Sequence, residues 1–132
     1  MFWRLIKTSR KLYVPLGWTI FTQILLSLPG SLFEGSGLFH VPHLDKIAHL
    51  GLFGGLAFFW ILFFFHRNNT LTKNTAWGIL FLIALYGIGV EFFQYNFIPR
   101  RSFDMGDIVA DICGALCGYF ATIWILRIRA NR

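Results

Sequence analysis

Charge is what this 132-residue chain has least of: Asp, Glu, Lys and Arg make up 14% of it, and only six residues are acidic. Soluble domains usually carry about a quarter of their residues as charged, and a domain this small leaves much of its surface exposed. With 56% apolar residues and sixteen phenylalanines, a water-soluble globule is excluded. The chain reads as one all-α membrane domain over residues 1–132. Cysteine is nearly missing as well. Cys113 and Cys117 stand four apart inside an apolar run, which suits small packing residues better than a disulfide or a metal pair. There are no internal repeats, linkers or low-complexity tracts. The net charge of +6 is spread in short groups at the ends of apolar runs, with no basic stripe or stacking motif. That distribution argues against nucleic acid and fits topology signals and anionic lipid head groups.

What is present is a series of apolar runs divided by short polar breaks. Met1 to Lys11 is basic and amphipathic and is expected in the head-group region. A first span is expected over Leu12 to Leu28, stopped by Pro29-Gly30. Ser27-Leu28-Pro29 makes a poor small-x-small cleavage site, so an uncleaved span is favoured over a signal peptide. Gly30 to His43 is expected to rest on the membrane surface. Pro42 then starts a second helix with Asp45 in its first turn, where an acid suits the positive end of the helix dipole. Its apolar part is Ile47 to Phe65, and Gly51 with Gly55 forms a small-xxx-small step. Asn68-Asn69 reads as its stop, Asn74 or Thr75 as the next cap. A third helix is expected over Ala76 to Ile98, ended by Pro99. A fourth is expected from Ser102 or Asp104 to about Leu126. The flanks of the cytoplasmic side would hold nine Lys and Arg against three on the other, which predicts four transmembrane helices with both termini inside.

The segment Glu91 to Asp111, EFFQYNFIPRRSFDMGDIVAD, holds four of the six acidic residues and two arginines between runs with no charge at all. Ionisable groups set in such runs are costly in a bilayer and mark a site. A second group, Asp45-Lys46-x-x-His49, opens the second helix. At about 1.5 Å per residue, Glu91 lies about 12 Å from its helix end, Asp111 about 10 Å and His49 about 7 Å. Three helices therefore bring polar groups to one layer. Asp104, Asp107, Asp111, Gly114 and Gly118 follow a 3-4-3-4 spacing along one seam, and Gly87, Glu91 and Gln94 share one face. Several such groups facing lipid would be prohibitive, so they are predicted to point at one another or at water. Simpler roles compete. Asp104 suits an N-cap with Asp107 in the first turn, Arg100 and Arg101 suit snorkelling to head groups, and His49 suits a hydrogen-bonded core histidine. The histidines at 40, 43 and 66 are expected at the surface.

The ordered set SLPGS (Ser27 to Ser31), DKxxH (Asp45, Lys46, His49), ExxQ (Glu91, Gln94), an arginine after Pro99, then DxxDxxxDxxG (Asp104 to Gly114) resembles the VanZ-like membrane proteins. The resemblance covers about Ser27 to Gly118. One departure is Asp111, where the family pattern usually carries Asn, so this chain adds an acid. The family's namesake is an accessory protein associated with resistance to the glycopeptide teicoplanin. The resemblance therefore implies a bacterial inner-membrane setting and a functional polar site, and it implies no reaction.

Three readings of the function follow. In the first, an outward-facing pocket binds a lipid-linked envelope precursor or a glycopeptide. Lys46, Arg100 and Arg101 would draw phosphate or carboxylate there and Glu91, Gln94 and Asp111 would orient head groups, with Asp45, His49, Asp104 and Asp107 as further ligand-binding candidates. In the second, an intramembrane enzyme has His49, Glu91 and Asp111 as its catalytic candidates: His49 with Glu91, Asp107 and Asp111 would bind a divalent metal, or His49 would act as a general base oriented by a carboxylate. No spacing matches a recognised metal motif, so no metal ligand and no cofactor is assigned. In the third, Glu91 and Asp111 share a proton in linked transport.

Overall fold

A computed structural model describes residues 11–29 and 44–131. The expected surface segment Met1 to Lys11, apart from its last residue, lies outside the described residues. So do the loop Gly30 to His43, with Pro42, His40 and His43, and the end of the SLPGS motif. Four helices run through the described chain: α1 (Tyr13–Leu26), α2 (Leu44–Asn68), α3 (Lys73–Phe97) and α4 (Met105–Ala130). Among the described residues there is no strand, and the all-α expectation holds.

Three of these, α2, α3 and α4, are long and apolar enough to cross a membrane. At 25 or 26 residues each they exceed the roughly 20 that a bilayer core requires. The first helix is shorter than the span expected over Leu12 to Leu28. Its 14 residues reach about 21 Å, against a hydrocarbon core of about 30 Å. The surface is inverted relative to a soluble protein. Phe81, Leu82, Phe97, Phe120 and Trp124 are exposed, whereas His49, Glu91, Gln94, Asp111, Thr22 and Thr122 are buried. An apolar perimeter around a polar interior suits lipid as the surrounding solvent.

The helix ends follow from local chemistry. Asn69 stops α2 with φ 54°, a left-handed conformation that asparagine tolerates. The α3 cap is Thr72, whose hydroxyl accepts from the Thr75 N–H at 3.1 Å. It replaces the expected Asn74 or Thr75, and the helix begins at Lys73 rather than Ala76. Pro99 lies just beyond the end of α3, as expected. Asp104 caps α4, accepting from the Gly106 N–H at 2.6 Å. The last turn of α4 runs past Leu126 and takes in Arg127 and Arg129, cations that suit the negative helix end. Asp104→Ala is expected to cost about 1 kcal/mol, and Asp104→Asn much less, because the amide oxygen still caps. Chemical denaturation of the two variants in detergent checks this.

The central element is α2, which packs against each of the other three helices. Its closest partner is α4. A Cβ at Gly114 would overlap the Leu50 carbonyl oxygen, and one at Gly118 would overlap the Gly54 carbonyl oxygen. The step on α2 that meets α4 is therefore Leu50 and Gly54, while the expected close contact at Gly51 and Gly55 is found only at Gly55. Gly51 has open space beside it, and Gly55 instead receives the Trp18 ring of α1. Polar contacts complete the docking of α1. Trp18 Nε1 donates to Leu52 O at 2.9 Å, Trp60 Nε1 to Thr19 Oγ1 at 3.1 Å, and Tyr86 Oη to Gln23 Oε1 at 2.7 Å. Such bonds join helices where lipid offers no hydrophobic driving force. The expected packing role of Cys113 and Cys117 is not found: both are free thiols on the exposed side of α4.

Candidate functional site

The amino-terminal ends of α2 and α4 and the carboxyl-terminal end of α3 meet at one end of the bundle. The two polar groups singled out in the sequence meet there too. At the deepest point His49 Nδ1 and Asp111 Oδ1 are 2.8 Å apart, with the side chains 0% and 1% exposed. The Asp111 carboxylate can only accept when ionised, so Nδ1 then carries the shared proton, and in the neutral imidazole Nε2 keeps its lone pair. The Phe53 ring lies parallel to the imidazole, 6.3 Å away. Gly87 of α3 makes room for Asp111, since a Cβ there would stand 2.7 Å from Oδ2.

Glu91 is fully buried, and its Oε2 accepts from the Asp104 N–H at 3.1 Å. A carboxylate from α3 thereby meets the positive end of α4. Above this floor, Lys46 Nζ pairs with Asp104 Oδ2 and, at 3.0 Å, with Asp107 Oδ1. Arg101 Nη1 reaches Asp45 Oδ1 at 3.0 Å and Oδ2 at 2.9 Å. The mouth is the more open part, with the Asp45 and Asp104 side chains 47% and 46% exposed.

Nine of the ten expected site residues can be placed by their contacts. Asp45, Lys46, His49, Arg101, Asp104, Asp107 and Asp111 are joined by direct ion pairs or hydrogen bonds, and Glu91 joins through the α4 backbone. Gln94 is buried as expected, but its Nε2 donates to Leu26 O at 2.7 Å. That bond reaches a carbonyl in the last turn of α1, so the amide ties helices together. Arg100 is exposed on a turn with φ 61°, and Arg101 pairs with Asp45 in the cluster. Sequence reading missed the Leu50 and Gly54 carbonyls and Phe53. The only signal for them is their register opposite the glycine seam of α4.

Lys46 holds the Asp104 carboxyl below its ordinary value, helped by the Gly106 N–H. A depressed folded-state pKa means that ionised Asp104 stabilises the fold above the unfolded value of about 3.9. The contribution is lost as pH falls through the lower folded value. Solvent screening at a half-exposed carboxylate keeps the effect small. Lys46→Met is expected to move the Asp104 midpoint upward in a carboxyl-carbon NMR titration. No movement would mean that Lys46 does not set it.

Two further features frame the site. Carboxylate oxygens of Asp45 and Asp107 and a ring nitrogen of His49 all lie within 4.8 Å of one another. Away from the polar layer, an apolar cavity of about 300 Å³ opens between α1, α2 and α3, lined by Thr19, Leu56, Trp60, Ile79, Ile83 and Tyr86 among others. The Tyr86 ring touches Phe53 at 5.7 Å between centroids, and Phe53 in turn lies on His49.

Helices that present an apolar perimeter and enclose a charged cluster at one end define a membrane-type helical protein with a built polar site. The particular family is shown by the sequence itself: the VanZ/LLP1 family model matches residues 3–127, and the chain belongs to that family. The match is wider than the Ser27 to Gly118 segment that carries the motifs. No curated protein and no solved structure matches the chain.

Proposed function

We propose that the protein holds the polar head of a bacterial envelope amphiphile, a lipid-linked precursor or a glycopeptide, in an accessory or resistance role at the inner membrane. In this reading α1 completes a fourth span, both termini are cytoplasmic, and the site faces outward. One observation carries it. Three buried side chains from three helices each keep a polar atom with no hydrogen-bond partner among the described residues: His49 Nε2, Glu91 Oε1 and Asp111 Oδ2. Buried polar atoms are normally satisfied, and each exception calls for an explanation.

The chemistry of those atoms narrows the head group. Lys46 and Arg101 are already engaged by carboxylates, so phosphate attraction is not the main element of recognition. Two carboxylate oxygens and an imidazole nitrogen with a lone pair accept hydrogen bonds. They suit the hydroxyls and amines of a sugar or peptide head. The apolar cavity beside Tyr86 offers a seat for an alkyl chain on the same molecule. Binding of fluorescent teicoplanin and of a labelled lipid-linked disaccharide to the protein in nanodiscs tests the reading. Glu91→Gln is expected to weaken one of them by about tenfold, since a lost hydrogen bond to a charged group is worth about 1.5–3 kcal/mol. Unchanged binding of both ligands would remove the proposal.

The His49–Asp111 geometry supports a second reading, an intramembrane enzyme. An imidazole oriented by a carboxylate through Nδ1, with Nε2 open, is arranged as a general base. If binding survives in His49→Gln while turnover of an envelope lipid is lost, catalysis is the better description.

A further inference from the structure

We propose that Asp45, His49 and Asp107 form a binding site for a divalent first-row transition metal ion such as Mn²⁺ or Zn²⁺, with Asp111 as its positioning residue. The inference does not depend on the identity of any amphiphile. Three donor atoms, two carboxylate oxygens and an imidazole nitrogen, already lie within 4.8 Å of one another. Ligands bound at about 2.0–2.2 Å around one ion stand about 3–4 Å apart, so only a small closure is needed.

The acids alone would not make a site; the histidine does. His49 is fully buried, its Nδ1 is committed to Asp111 at 2.8 Å, and its Nε2 has no partner among the described residues. A carboxylate holding one imidazole nitrogen so that the other presents its lone pair is the arrangement that supports metal-bound histidine. Charge accounting points the same way. Asp45, Glu91, Asp104, Asp107 and Asp111 gather at this end of the bundle, where Lys46 pairs with Asp104 and Asp107 and Arg101 with Asp45. A dication would offset the negative charge of the buried Glu91, Asp107 and Asp111, which burial makes costly.

Lys46 and Arg101 are then competitors of the ion. Lys46 Nζ has a second partner in Asp104, so it can release Asp107 without losing its counter-charge. Arg101 meets Asp45 through one nitrogen, and each carboxylate oxygen has a further lone pair to offer. The mixed nitrogen and oxygen donor set suits first-row dications better than Ca²⁺ or Mg²⁺. Three protein ligands leave further positions for water or a head group.

The test uses full-length, metal-stripped protein in detergent with no amphiphile added. Free Mn²⁺ is followed by electron paramagnetic resonance, and Zn²⁺ by competition with a chromophoric chelator. One ion per chain is expected. Asp111→Asn is expected to weaken binding about 10–100-fold, the usual cost of altering a group behind a metal-bound histidine. His49→Ala is expected to abolish it. Lys46→Gln is expected to tighten it, an outcome that a purely structural role for the cluster would not produce. Absence of saturable one-per-chain binding in the parent protein overturns the proposal, as does equal affinity in the parent and Asp111→Asn. Failure of amphiphile binding leaves this result unaffected, so the two readings fail separately.

Discussion

Gly114→Leu is expected to destabilise the fold by about 3 kcal/mol or more, at or beyond the upper end of ordinary overpacking. The obstacle is backbone and not a movable side chain. The Leu50 carbonyl of α2 occupies the space a Cβ would take, and the Gly54 carbonyl does the same at Gly118. Relief would require α2 and α4 to separate along the seam that holds Asp107 and Asp111 beside Lys46 and His49. The melting temperature in detergent is expected to fall by about 10 °C. Gly78→Leu and Gly89→Leu are the controls, since nothing lies within 4 Å of a Cβ at either position. Leucine is also the better helix former. Equal losses at Gly114 and Gly89 would show that the close approach of α2 and α4 is not what sustains the bundle.

Asp111→Leu is expected to have an effect of similar size for a different reason. It strands a fully buried imidazole whose Nδ1 has its only described partner in Asp111, and breaking a buried pair from one side costs about 3–5 kcal/mol. Asp111→Asn is expected to fold much as the parent does, because its side-chain oxygen still accepts from Nδ1–H. The double variant His49→Leu with Asp111→Leu is expected to recover part of the loss, since no unpaired group then remains. Chemical unfolding of the four proteins gives the coupling energy. Additive losses would mean that the two side chains do not depend on each other.

Much of this arrangement was legible in the sequence, because the cost of ionisable groups in apolar runs is independent of detail. Asp45, Lys46, His49, Glu91, Asp107 and Asp111 had to turn inward, and counting positions from Pro99 and Asp104 was enough to set them in one layer. Periodicity along α4 also identified the seam ending in Gly114 and Gly118. What spacing does not encode is the identity of the partner. Gln94 shares a face with Glu91, yet it bonds the end of α1, where Leu26 O presents an acceptor within reach. The glycines of α2 part company for a related reason, since Gly55 receives the Trp18 ring and Gly51 meets nothing. Gly51 and Gly55 have the familiar spacing, but the rotation of α2 is set by burying His49 and Phe53, which turns Leu50 and Gly54 towards α4. Arg100 and Arg101 could not be separated from composition alone. The left-handed backbone at Arg100 is a property of the turn.

The near contact of main chains between α2 and α4 has a mechanical consequence. Where two helices meet through carbonyls at Gly114 and Gly118, no compliant side-chain layer is left at those points in which to slide or roll. They act as a single strut. Lys46, His49, Asp107 and Asp111 are fixed to that strut, while Glu91 belongs to α3, which is held to it at this end by the bond from the Asp104 N–H. Any opening of the bundle would accordingly carry Glu91 away and leave the other four in register, like a door swinging from a rigid post.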